Sequence, residues 1–224
     1  MAHRLKALFL FVSLAFAGVA CLASPGPAAA MDFNLVRLSR GEQCRPRCPE
    51  VMVATGDMDL GTADAFLDFS QKAAARGASK MLIIDSPGGH LIEGMKLGFM
   101  LRSLGISIFV GRVGQQGGGN VAFNGSCMSA CVYALMGGSK RFVMPGSRVG
   151  IHRELLPGST GNDPISVLRS QRRFPQITQM VRNYAEQMGV DPALVDLAEQ
   201  YGAGGLRILT PDDLTRFRLA TIAP

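Results

Sequence analysis

Three short stretches hold residue types that could carry out acyl transfer. Gly125-Ser126-Cys127-Met128-Ser129-Ala130-Cys131 sets a serine among small residues, with a cysteine two positions away on either side. Ser86-Pro87-Gly88-Gly89 lies before it, and Gly150-Ile151-His152-Arg153 after it. Serine is a weak nucleophile at neutral pH. It needs a base within hydrogen-bond reach and donors aimed at the oxyanion that develops. Ser129 supplies the candidate nucleophile and His152 the candidate base. Each of these features alone has a plainer reading: a packing serine, a turn, a structural histidine. Their ordered combination is what points to chemistry.

The surrounding pattern shows how they would be positioned. Val51-Met52-Val53-Ala54 reads as a strand and Thr62 to Ala75 as a helix, with Ala65, Phe66, Phe69 and Ala73 on one face. Met81-Leu82-Ile83-Ile84 is an all-apolar run, the mark of a strand buried on both faces of a parallel sheet. The Ser-Pro-Gly-Gly turn follows it, then a helix over His90 to Leu104, whose Gly94 and Gly98 would admit a close neighbour. Ile106 to Val110 is the next strand. Gly111 to Asn120 has five glycines and reads as a mobile surface loop; no Gly-Lys-Ser/Thr follows to make it a phosphate loop. A helix is expected from Ser129 to Met136, and a strand pair from Lys140 to His152 about Pro145-Gly146.

Leu155 to Asp163 reads as loop, and Pro164 to Met188 as the longest helix, with Pro175 kinking or dividing it. Asp191 caps a short helix, Leu206 to Leu209 forms a last strand, and Thr210 caps a final helical turn. Alternating strands and helices predict right-handed crossovers, a mainly parallel sheet and one α/β domain over residues 51–224. Residues 31–50 read as an irregular lead.

Two strand-to-helix turns at the carboxyl ends of neighbouring parallel strands would then adjoin, where such sheets place their sites. The unpaired N–H of Ala130 at the helix start and the unobstructed N–H groups of Gly88 and Gly89 are the candidate oxyanion donors. His90 reads as a surface or packing residue.

Composition sets the bounds. The 224 residues carry a formal charge of +6, no Trp and 47% hydrophobic residues, so an aliphatic core is expected. The basic residues are scattered, which argues against nucleic acid as a partner. Arg4 and Lys6, the apolar run Ala7 to Ala23, and Ala28-Ala29-Ala30 read as an export signal over residues 1–30, cleaved near Ala30 to give a periplasmic or secreted protein. The alternatives are a membrane anchor over residues 7–23 and a lipoprotein signal at Cys21.

Cys44, Cys48, Cys127 and Cys131 remain, an even count that suggests disulfides in an oxidising compartment. Local pairs, a cross pairing and a four-cysteine zinc site all stay open, although the spacing is not that of usual zinc knuckles; no metal and no cofactor is called for.

The ordered motifs resemble the Clp protease proteolytic subunit, which carries Ser-Pro-Gly-Gly, then Gly-x-Ala-x-Ser, then Met-Ile-His. They are closest to an exported branch with Cys-x-Ser-Ala-Cys at the serine. Leu209-Thr210-Pro211-Asp212-Asp213-Leu214 resembles that family's end segment, so the likeness spans about residues 50–222. It implies a Clp/crotonase spiral of β-β-α units, an oxyanion hole from Gly88 and Ala130, and a serine peptidase acting through an acyl-enzyme on peptide or unfolded protein. It also implies a homo-oligomer.

Export separates the chain from ATP-driven unfoldases, so a substrate must be unfolded, short or membrane-released. One feature departs from the family: Leu206 stands where the triad acid is expected, leaving Asp163, Asp212, Asp213, a carbonyl or a water to orient His152. A catalytically weak or inactive binding or assembly protein of the same fold is therefore the alternative. A crotonase-like acyl-thioester enzyme is a third, disfavoured by export and by the lack of a basic cluster for coenzyme A phosphates.

Overall fold

The computed structural model describes residues 31–39, 48–153, 164–202 and 205–223, with side chains excepted over 164–174. The expected signal, Cys44 and Asp163 lie outside the described residues. The order is β1 (Asp32–Arg37), β2 (Glu50–Thr55), α1 (Thr62–Ala75), β3 (Met81–Asp85), α2 (Leu91–Ser103), β4 (Ser107–Val110), β5 (Arg112–Gln116), β6 (Gly119–Phe123) and β7 (Ser126–Met128). It continues with α3 (Ala130–Met136), β8 (Arg141–Val143), β9 (Arg148–Ile151), α4 (Pro164–Gln187), α5 (Ala193–Glu199), β10 (Arg207–Ile208), α6 (Pro211–Arg216) and β11 (Thr221–Ile222).

The main sheet runs β1-β2-β3-β4-β8-β11 and is parallel except for β1. A smaller sheet, β10-β9-β7, carries the candidate site, and β5-β6 is a separate hairpin. The apolar run in β3 is central in the main sheet, with Leu82, Ile83 and Ile84 all buried. A strand covered on both faces has no polar face to show, which explains the unbroken run. In α1, Ala63, Phe66, Ser70 and Ala73 recur at helical spacing and turn inward. The α4 helix passes through Pro175 without interruption of its span.

The glycines of α2 set the position of the serine helix. A Cβ on Gly94 would lie 2.3 Å from the Ala130 carbonyl oxygen, and one on Gly98 2.7 Å from that of Tyr133. Only bare Cα atoms let α2 and α3 come this close. The Tyr184 hydroxyl reaches over Gly98 to donate to the same Tyr133 carbonyl at 2.7 Å, tying α4 into the contact.

Three sequence expectations are corrected. Residues 31–50 are not wholly irregular: β1 pairs antiparallel with β2 from Asp32 to Arg37. Its Phe33 ring lies 5.4 Å from Phe66 and 5.6 Å from Phe69, so this edge strand closes the core over α1. The glycine-rich stretch is not a loop but the β5-β6 hairpin. Gly117 and Gly118 have φ of 59° and 77°, the pair of positive angles that a two-residue hairpin turn demands. Finally, Arg141–Val143 and Arg148–Ile151 do not pair with each other. The first joins the main sheet and the second the small one, because the turn at Met144–Ser147 carries the chain from one sheet to the other.

Candidate active site

Ser129 occupies the single position between β7 and α3. Its backbone has φ 52° and ψ −122°, a conformation in which a non-glycine residue is strained. The neighbours force it. Met128 N–H donates to Ser86 O at 3.0 Å, Ser129 N–H donates to Gly150 O at 2.9 Å, and Val132 N–H donates to Ser129 O at 2.9 Å. The chain must therefore leave a strand and enter a helix within one residue, and this aims a half-buried serine away from the core.

A disulfide brackets the turn. Cys127 and Cys131 are bonded across it, with Cα atoms 5.2 Å apart and both residues fully buried. Of the pairings the sequence leaves open, the structure holds the local one at the serine, and these two sulfurs are bonded to each other rather than free for a four-cysteine metal site. Among the described residues, no His, Cys, Asp and Glu cluster could hold a metal ion.

The Ser-Pro-Gly-Gly turn lies against the serine turn, though by a route the sequence did not suggest. The strands before the two turns belong to different sheets. A parallel bridge between Ser86 and Cys127 joins them. Ser86 N–H donates to Ser126 O at 2.8 Å, and Asp85 Oδ1 accepts from Ser126 N–H at 2.7 Å and Ser126 Oγ at 2.9 Å.

Gly88 packs directly on the serine: an added Cβ would be 2.6 Å from Met128 O, 2.8 Å from Ser129 Cβ and 3.1 Å from Ala130 N. Its φ of 108° also favours glycine. The Gly88 N–H donates to Ser86 Oγ at 3.1 Å, so an incoming oxyanion would have to take over this donor. Ala130 is the first residue of α3, so its N–H has no carbonyl partner within the helix.

The loop after β2 completes this wall, and no motif in the sequence marks it. Met58 N–H donates to Gly88 O at 2.7 Å, and His90 N–H donates to Met58 O at 2.6 Å. A Cβ on Gly89 would meet the Met58 backbone at 2.5 Å. Glycine pairs read as turns; the partner that requires them comes from a distant segment.

His152 follows β9, which runs parallel to β7 with Met128 opposite Gly150. Ser129 and His152 thus stand at the carboxyl ends of adjacent strands. His152 Nδ1 lies 2.6 Å from Arg153 O. A carbonyl oxygen can only accept, so Nδ1 carries a proton, and in the neutral ring the lone pair is then on Nε2.

Of the carboxylates expected as alternatives, the two among the described residues are occupied elsewhere or exposed. Asp213 accepts from Thr210 N–H at 3.0 Å and from Arg207 Nη2 at 3.1 Å. The Thr210 backbone N–H is the main reason its carboxyl group sits below the usual range. Asp212 is exposed on α6. The β10–β9 register ends with Arg207 paired to Ile151, so Leu206 and His152 are the next residues outward on the two chains. The position where the family resemblance expects an acid is filled by an apolar side chain, 43% exposed.

The mainly parallel sheet, the small sheet bridged to it and the strained serine at a strand-to-helix turn define an α/β domain with the Clp protease-like fold. No family model matches the chain, and no curated protein matches it by sequence. Among solved structures it is similar to a mutant of the 1510-N membrane-bound stomatin-specific protease. The two share 21% identity with a TM-score of 0.51, over 76% of this chain and 77% of that one.

Proposed function

We propose that this chain is a serine hydrolase that cleaves peptide bonds through an acyl-enzyme on Ser129. The observation that carries the reading is the Ser129 backbone. A non-glycine residue is held at φ 52° and ψ −122° between a strand and a helix, against Gly88 and beside the strand that leads to His152. Strain of about 1–3 kcal/mol persists only where surrounding structure enforces it, and it gathers at functional sites.

In this reading His152 Nε2 takes the Ser129 Oγ proton as Oγ attacks the substrate carbonyl. The N–H groups of Ala130 and of Gly88 or Gly89 receive the oxyanion. The imidazolium then protonates the leaving amine, and water hydrolyses the ester by the reverse sequence. Substrates are short or unfolded peptides, including segments released from membrane proteins. The reading places the protein in the periplasm or outside the cell, on the strength of residues 1–30. Among the described residues no helix is long and apolar enough to cross a membrane.

The test is labelling of the folded chain by a fluorophosphonate probe, with the modified residue located by mass spectrometry. Modification of Ser129, lost in Ser129→Ala, is expected; an unmodified wild-type protein would refute the reading. Leu206 in place of an acid favours a second reading, a binding or assembly protein with this fold. It predicts full function from Ser129→Ala in cells.

A further inference from the structure

We infer that Arg153 and Glu199 are positioning residues for His152 and together take over the orienting role of a triad acid. The inference rests on the Ser129–His152 hydrolase reading. The group that orients the imidazole is the Arg153 carbonyl, 2.6 Å from His152 Nδ1. A backbone carbonyl at the end of a strand fixes a ring only if its own residue is held.

Arg153 is held at three points on the carboxyl end of α5. Its N–H donates to Tyr201 O at 2.8 Å. Its Nη2 donates to Glu199 O at 2.5 Å, and its Nε lies 3.1 Å from Glu199 Oε2. Glu199 is fixed in turn, since its Oε1 accepts from Thr178 Oγ1 of α4 at 3.1 Å. A continuous path thus runs from α4 through Glu199 and Arg153 to the base. On the other side, where β10 would present an acid, Leu206 offers no acceptor.

The chemistry explains the division of labour. The accepting carbonyl keeps a proton on Nδ1 and, in the neutral ring, the lone pair on Nε2, as a triad carboxylate does. It brings orientation without a full negative charge. The Glu199 carboxylate spends its charge on the Arg153 guanidinium rather than on the ring. Loss of the anchor should therefore slow the chemical step and leave probe binding unchanged.

The experiment uses the full mature chain and a fluorophosphonate probe, separating the maximal inactivation rate from the probe concentration for half-maximal rate. Arg153→Ala keeps the carbonyl but removes its side-chain anchors. Displacement of the base by about 1 Å predicts a maximal rate about 100-fold lower at unchanged half-saturation. Glu199→Gln preserves size and hydrogen bonding but not charge, and predicts a smaller loss in the same parameter. Asp196→Asn is the control: it breaks the Arg182–Asp196 pair that joins the same two helices without touching Arg153, and should label at the wild-type rate.

Wild-type maximal rates in both Arg153→Ala and Glu199→Gln would overturn the inference and leave the hydrolase reading standing. An equal loss in Asp196→Asn would also overturn it, by showing that any loosening of α5 suffices. No labelling of the wild-type chain at Ser129 would instead overturn the hydrolase reading itself.

Discussion

Replacing Gly94 by alanine tests whether the close packing of α2 on α3 is what holds Ser129 in place. The new methyl group would lie 2.3 Å from the Ala130 carbonyl oxygen and 3.1 Å from its carbon. Ordinary contact begins near 3.4 Å, so the first turn of α3 must retreat by about 1 Å. The obstacle is backbone, and no side-chain rotation relieves it. Overpacking of this kind costs about 1–3 kcal/mol, while alanine gains about 1 kcal/mol over glycine within a helix. The net loss is at most about 2 kcal/mol, a fall of about 4–8 °C in Tm.

The effect on chemistry is larger, because Ala130 adjoins the nucleophile and carries a proposed oxyanion donor. A displacement of about 1 Å predicts about a 100-fold slower reaction of Ser129 with a fluorophosphonate. Thermal denaturation and labelling kinetics on the same preparation separate the two effects. A Gly94→Ala protein that labels at the wild-type rate would refute the claim that α2 fixes the serine turn. So would one whose labelling falls only in proportion to its unfolded fraction.

Two further outcomes follow from the turn itself. Ser129→Gly relieves the strain at φ 52° and ψ −122°, and should exceed Ser129→Ala in stability by about 1–2 kcal/mol in urea denaturation, with labelling abolished in both. Equal stability of the two would mean the serine backbone is not strained. Removing the disulfide in the Cys127→Ala/Cys131→Ala double variant opens a five-residue loop, and the chain-entropy relation predicts a loss of about 2 kcal/mol. Two free thiols at these positions in the wild-type protein under non-reducing mass spectrometry would contradict the bond.

Much of this molecule is legible along the chain because its signals are local. The apolar run at 81–84, the helical spacing of Phe66 and Ala73, and the Thr210 cap each depend on residues within a turn or two. The structure places each in the expected element. Gly94 and Gly98 mark a close approach by their spacing alone, and α3 is the helix that makes it. The failures came from counting residue types without their geometry. The glycines at 111–120 suggested mobility, whereas two of them supply hairpin φ angles. The polar-apolar alternation of Asp32-Phe33-Asn34-Leu35 is short and is followed by charged and cysteine-bearing residues, so its strand character is masked in the sequence.

The sequence by itself determined the serine turn, its flanking cysteines, the glycine pair and the histidine, since a nucleophile between strand and helix needs small neighbours that are adjacent in the chain. Only the tertiary structure decided what surrounds them. The bridge from Ser86 to Cys127 joins two sheets, Met58 zips onto Gly88, and Arg153, anchored on Glu199, presents its carbonyl to His152. The first two link residues about 30 to 40 positions apart through backbone atoms that every residue possesses, and the third depends on a side-chain anchor 46 positions away. Such groups carry no compositional signature, so only the fold reveals which of them meet.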